Sequence, residues 1–260
     1  MRRESRSRSQ VIALRTVAAV LLLPLLSLLV AGCGASHSGG LPRGIVTLSF
    51  DDGFSSAYNN GLPIRKIFRL PATDSVVTGL VDTGPKYVTT AECQSYLNAG
   101  DELASETVTH PYLTKLTPEQ VNQELSVSKN WIEQRFGPCP DFMIPYDDYN
   151  DSVIAAVKNY YKAARSSDPG FNTTTSLYYY DVLVQVIYNT TTAAQVQKWV
   201  QTAIDNHSWL VLEYHDVDSS GSQYSVTPAD LTTECRFIHE SGITCKTMVK
   251  AIAEISPHLK

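Results

Sequence analysis

At 260 residues the chain can hold one large domain or two small ones, a size at which α/β barrels commonly form a single unit. Its 21 basic and 26 acidic side chains leave it acidic, and the first 32 residues, with five arginines and one glutamate, hide part of that acidity. Without them the net charge is −9, which argues against nucleic acid or another polyanion as a partner.

Arg2, Arg3, Arg6, Arg8 and Arg15 precede an apolar run over 17–31 that Pro24 interrupts and that is short for a membrane span. This is the layout of a secretory signal. It closes on Val30, Ala31, Gly32 and Cys33, which resembles a bacterial lipobox. The resemblance implies cleavage before Cys33, acyl chains on its thiol and new N-terminus, and a protein anchored to the outer face of a bacterial membrane without spanning it. The expected organisation is a signal over 1–32, a lipidated Cys33 with a Gly/Ser-rich tether over 33–43, and one folded domain over 44–260.

The domain opens with Ile45, Val46, Leu48 and Phe50, a nearly continuous apolar run that suits an inner strand covered on both faces. It ends in Asp51, Asp52 and Gly53. A bare Asp-Asp-Gly is ordinarily a solvated turn. At the end of a buried strand, however, adjacent carboxylates cost free energy unless a metal, a cation or hydrogen bonds compensate them.

A helix follows over 57–68, then a second strand over 76–81, a helix over 89–98 stopped by Gly100, and a short strand over 102–105 that leads to Glu106 and His110. The clearest helix has Thr117 as N-cap, Pro118 at its first position, Gln120 in the capping-box place and Gly137 beyond its end. Val121, Leu125, Ser128, Ile132 and Phe136 make its core stripe. A strand over 141–145 leads to Tyr146, a helix covers 151–161, and a strand over 162–166 carries Arg165 and ends near Asp168. The stretches 178–180 and 189–192 fit strand or loop equally. An amphipathic helix from 193 places Val196, Trp199, Val200, Ala203 and Ile204 on one face. The buried strand over 209–212 carries Glu213, Tyr214, His215 and Asp216 at its end. A helix capped at Thr227, a strand over 243–246 and a terminal helix close the chain.

Alternating strands and helices imply parallel strands with crossover helices, and in such folds the site forms where the strand C-termini converge. Asp51 and Asp52, Glu106 and His110, Pro145 and Tyr146, Arg165 and Asp168, and His215 all fall at or just beyond strand ends. Of the cysteines other than Cys33, Cys93, Cys139, Cys235 and Cys245 allow two disulfides in three pairings; Cys235–Cys245 with Cys93–Cys139 is the expected one. With no C-x-x-C pair, zinc binding by these four is not expected.

In this order the residues resemble the polysaccharide deacetylase family, the NodB-homology or family 4 carbohydrate esterases. The Ser-Phe-Asp-Asp-Gly run at 49–53 looks like its first motif and 107–111 like the second half of its metal-binding motif. Pro145 and Tyr146 look like the core of its third motif and 212–216 like its last. The resemblance spans roughly 44 to the C-terminus and implies a distorted, incomplete (β/α) barrel, α/β in class. It implies a divalent metal (Zn, Co or Mn) held by Asp52, Glu106 and His110, with Asp51 as general base and His215 as general acid. Tyr146 would offer a backbone N–H to the oxyanion, and Leu212 would help wall the acetyl pocket.

The chain departs from the family pattern at three positions: Glu106 stands where the first metal histidine is expected, Met143 where many members carry an arginine, and Asp147 where glycine is usual. Arg165 is expected to supply the missing cation and Asp168 to orient His215. The implied function is metal-dependent removal of N-acetyl groups from a cell-surface or extracellular polysaccharide. The alternative is a catalytically weakened, glycan-binding lipoprotein on the same fold.

Overall fold

The computed structural model describes residue 41 and residues 43–259; the expected signal segment, Cys33 and most of the expected tether lie outside the described residues. Seven parallel strands close on themselves: β1 (Ile45–Phe50), β2 (Ala72–Val76), β3 (Glu102–Ser105), β4 (Asp141–Met143), β5 (Ala163–Pro169), β6 (Val182–Val186) and β7 (Trp209–Tyr214). Closure is made by β7 pairing with β1 along its whole length, from Ile45 opposite Trp209 to Phe50 opposite Tyr214. The helices α1 (Leu62–Phe68), α2 (Thr90–Asn98), α3 (Pro118–Phe136), α4 (Asp151–Val157), α5 (Ala193–Asp205), α6 (Pro228–Ser241) and α7 (Met248–Ile255) are interspersed along the chain with the strands. Two short strands, β8 (Asp216–Val217) and β9 (Ser225–Val226), pair with each other.

The barrel is distorted at two seams, and each gap is filled differently. β1 meets β2 only from Leu48 onward; below, the two-residue β10 (Thr244–Cys245) takes the vacant edge against Ile45 and Val46. β6 meets β7 only at Gln185 and Val186. Below that, Asn172 exchanges backbone hydrogen bonds with Trp209, while its carboxamide donates to Leu183 O at 2.9 Å and accepts from Leu183 N at 3.0 Å. Buried backbone groups at both seams therefore keep partners.

Strand alternation sorts the side chains into layers. Ile45, Ala104, Met143, Ala163, Val182, Trp209 and Val211 form one inner cluster, joined by Met248, Ala251 and Ile255 of α7 and by Leu41, which the sequence reading assigns to the tether. Higher on the same strands stand Asp51, Arg165 and Glu213. Two outer clusters pack strand faces against helices, one with Val200, Leu231 and Ile238, the other with Tyr96, Leu125 and Val153.

Several expectations need correction. The second strand is Ala72–Val76, not 76–81, because Asp74 and Ser75 are buried with partners of their own. The strand β6 lies in a stretch that the sequence reading passed over. The helix expected to reach 161 ends at Val157. Cys93, Cys139, Cys235 and Cys245 are free thiols, so neither expected disulfide is formed. Cys93 and Cys139 fill one outer cluster and Cys235 the other. Burial pushes the Cys93 and Cys245 thiols up to about 12, which suppresses the thiolate that disulfide formation needs.

Candidate active site

The C-terminal ends of six strands, β1 and β3–β7, and the loop carrying Tyr224 converge on a pocket of about 390 Å³. β1 delivers Asp51 and Asp52, and the backbone of Asp52 is in the left-handed region at φ 67°. β3 ends one residue before Glu106, after which a tight loop with Thr107 (φ 68°) and His110 (φ 56°) turns the imidazole back over the barrel. That loop is pinned from α3, since Glu124 accepts from the N–H groups of Val108 (2.7 Å) and Thr109 (3.0 Å) and from the Thr109 hydroxyl (2.7 Å). Left-handed non-glycine residues cost free energy and persist where the surroundings hold them, as these contacts do.

His110 Nε2 lies 3.2 Å from Asp52 Oδ1 and 3.4 Å from Glu106 Oε1. Glu106 Oε2 accepts from the Asp52 N–H at 2.7 Å and from the Ser75 hydroxyl at 2.9 Å, leaving Oε1 toward the imidazole. Donors about 2.0–2.1 Å from a tetrahedral ion stand about 3.4 Å apart, so these three residues fit a divalent metal. The electrostatics agree with a cation there. Burial, then the neighbouring Glu106 charge, pushes the Asp52 carboxyl up to about 7 in the metal-free chain. For Glu106, burial acts upward but is outweighed by the hydrogen bond and charge of His110, which hold it below the ordinary carboxylate range. The same contacts raise His110 against the opposing effect of its burial.

A second group, Asp51, Glu213 and His215, also gathers donor atoms closely. It already holds a cation. Arg165 Nη1 donates to Glu213 Oε2 at 2.5 Å, and Nη2 donates to Asp51 Oδ2. Arg165 is 2% exposed, and β4–β5 pairing sets it directly opposite Met143. The guanidinium thus comes from the strand beside the one where the family pattern would have it. Burial raises Asp51 and Glu213, with Arg165 opposing in both cases. Asp51 Oδ1 contacts the hydroxyls of Ser49 and Ser75, both at 3.3 Å. His215 Nε2 is 3.9 Å from Glu213 Oε1, and its Nδ1 is buried without a hydrogen-bond partner.

Tyr146 and Asp147 form a 3₁₀ turn after β4, both left-handed at φ 57° and 56°. As the second residue of that turn, Tyr146 carries one of the N–H groups that a helical turn leaves without an internal acceptor. Its ring stands edge-on to His110, with centroids 4.3 Å apart, and stacks on Tyr112 at 4.2 Å. Asp147 Oδ1 accepts from Ser167 N at 2.8 Å, tying the turn to β5.

The polysaccharide deacetylase family model matches residues 38–163. Over that stretch the chain is similar to the polysaccharide deacetylase family. The matched stretch carries Asp51, Asp52, Glu106, His110 and Tyr146 and stops before Arg165, Glu213 and His215. YxkH of Bacillus subtilis (strain 168), named as a candidate polysaccharide deacetylase, is 27% identical over 128 residues, 48% of this chain and 45% of that protein. The chain thus spans about half the length of that curated relative. BC0361, a polysaccharide deacetylase from Bacillus cereus, is 26% identical with a TM-score of 0.55, over 59% of this chain and 50% of that one. The Xyl-CE4 domain of a multidomain xylanase from the hindgut metagenome of Trinervitermes trinervoides shares the fold more completely. Its TM-score is 0.60 over 82% of this chain and 92% of that one, at 21% identity.

Within this deacetylase fold, Asp51, Asp52, Glu106, His110, Tyr146 and His215 all line the pocket. Two expected residues do not do what the sequence reading assigns. Asp168 accepts from the Tyr149 hydroxyl at 2.9 Å and does not orient His215, whose nearest carboxylate is Glu213. Leu212 is buried in an outer cluster and does not line the pocket. Glu213 takes that wall, and alternation explains why: with His215 facing inward, the residue two before it shares its face and the residue three before it does not. Glu213 was legible by that rule. Ser75 and Glu124 carried no such signal, because their partners are far away in sequence.

Proposed function

We propose that the chain is a metal-dependent deacetylase that hydrolyses N-acetyl groups on a cell-surface or extracellular glycan, lipid-anchored through Cys33 outside a bacterial membrane. The observation that carries this reading is the spacing of Asp52, Glu106 and His110 beside Asp51 and His215 in one pocket. A divalent ion held by those three residues would acidify water and polarise the acetyl carbonyl.

The chain's own groups supply the rest. Asp51, with Oδ2 held by Arg165, keeps Oδ1 to take the proton of the attacking water. The Tyr146 N–H would donate to the developing oxyanion. His215, across the pocket, gives a proton to the departing amine, so that amide and water become amine and acetate. Acetate release from an N-acetylglucosamine hexamer by the metal-loaded chain, abolished in Asp51→Asn, tests the reading. No release with Zn²⁺, Co²⁺ or Mn²⁺ on any acetylated glycan would overturn it.

A second reading, a catalytically weakened glycan binder, is favoured by Glu106. Two carboxylates and one imidazole cancel the charge of a divalent ion, leaving it a poorer acidifier of water than a site with one carboxylate. Glu106→His separates the two. Activity appearing only in the variant identifies a pseudoenzyme, and activity lost in it identifies Glu106 as a working ligand.

A further inference from the structure

Sharing the pocket's wall at Ser167, Val186 and Tyr188, a second hollow of about 530 Å³ opens between the end of β6 and the start of α5. The two differ in chemistry. Asp51, Asp52, Glu106, Asp147 and Glu213 line the first, whereas none of the described residues lining the second is charged. The second is lined instead by Trp199, Gln185, Gln195 and a run of threonines.

The Gln195 backbone N–H is spent on the α5 cap, donating to Thr192 Oγ1 at 3.2 Å, but its carboxamide makes no hydrogen bond among the described residues. The Gln185 carboxamide makes one long bond, to Gly170 O at 3.4 Å. Trp199 rests its inner side on the core and is half-buried. The lip between the two hollows is aromatic. The Tyr224 ring lies 4.9 Å from His215 and 5.4 Å from Tyr188, and both tyrosines are exposed, at 41% and 38%.

We propose that this hollow is a sugar subsite that holds the uncharged ring next to the one whose acetyl group is removed. A carboxamide donates and accepts at once, which matches adjacent sugar hydroxyls, and an indole matches the apolar face of a pyranose. The inference rests on the deacetylase reading of the adjoining pocket and narrows its substrate to a neutral glycan of two or more sugars, passing from His215 over Tyr224 and Tyr188 toward Trp199. Anionic glycans are disfavoured because none of the described residues lining the hollow is cationic.

The test uses the full chain with the dimer and hexamer of N-acetylglucosamine. Titration calorimetry should show the hexamer binding at least about tenfold tighter than the dimer. Gln195→Ala and Trp199→Phe should cut that ratio by about fivefold or more, with the kcat/KM ratio falling in parallel. Trp199 also packs on the core, so Gln195→Ala, whose side chain belongs to none of the core clusters, guards against a folding defect. A fall in either variant whose melting temperature is unchanged supports the subsite, and an unchanged ratio in both overturns it. Equal binding of dimer and hexamer by the wild type overturns it as well. Length-dependent binding that the variants lose, with no turnover, leaves the subsite standing and rejects the deacetylase reading.

Discussion

Arg165 reaches two buried carboxylates at once, and its own Nε has no partner. Replacing it with Met would leave Asp51 and Glu213 buried without a counter-charge, which costs about 3 kcal/mol or more of stability. Urea unfolding of Arg165→Met at neutral pH checks this, and the same variant should lose acetate release because Asp51 is no longer held. The site residues divide at this scale by how far away their partners are. Asp51, Asp52 and His215 announce themselves as polar groups at the ends of apolar runs. Asp168 did so too, and misled, because only the folded chain reveals that Tyr149 takes it.

Elements were read best where their signals are local. The cap at Thr117 forms the expected capping box with Gln120, and β3 is found where expected. β2 was misplaced because the sequence over 72–76 is polar. Asp74 turns outward to Arg65, 3.2 Å away, and Ser75 inward to Glu106. The loop after β2 then abuts the metal loop, where Gly79 N donates to Val108 O at 2.9 Å and a Cβ on Gly79 would sit 2.5 Å from that oxygen. Gly79→Ala should therefore displace the His110 loop and weaken Zn²⁺ affinity by about tenfold, as read by competition with a chelating dye.

On α6, Glu234 accepts from the Tyr214 hydroxyl at 2.9 Å, while its other oxygen is buried without a partner. Burial pushes this carboxyl up to about 7. A raised folded-state value for an acid means that stability is fully present below the unfolded value near 4.5 and is lost as pH rises toward and through about 7. The loss amounts to roughly 3 kcal/mol. Glu234→Gln should flatten this dependence, with urea midpoints nearly equal at pH 5 and pH 8 where those of the wild type diverge.

For the whole molecule, metal binding couples to folding because the three donors come from two separate strand ends that only the closed barrel brings together. Zn²⁺ at 100 times its Kd should stabilise the chain by about 2.7 kcal/mol. A thermal melt should rise with metal and fall again with EDTA; melts insensitive to Zn²⁺, Co²⁺ and Mn²⁺ alike would remove the metal from this site. The alternation of strands and helices, the parallel sheet and the rim carrying the polar clusters are determined by the sequence itself, because periodicity, caps and turn residues act over a few positions. The tertiary structure alone decided the filled seams at β10 and Asn172, the free cysteines, the contacts of Ser75 and Glu124 with the metal loop, and the engagement of Asp168 by Tyr149. Each depends on which strand lies beside which and in what register, and pairing between residues tens or hundreds of positions apart leaves no local signal.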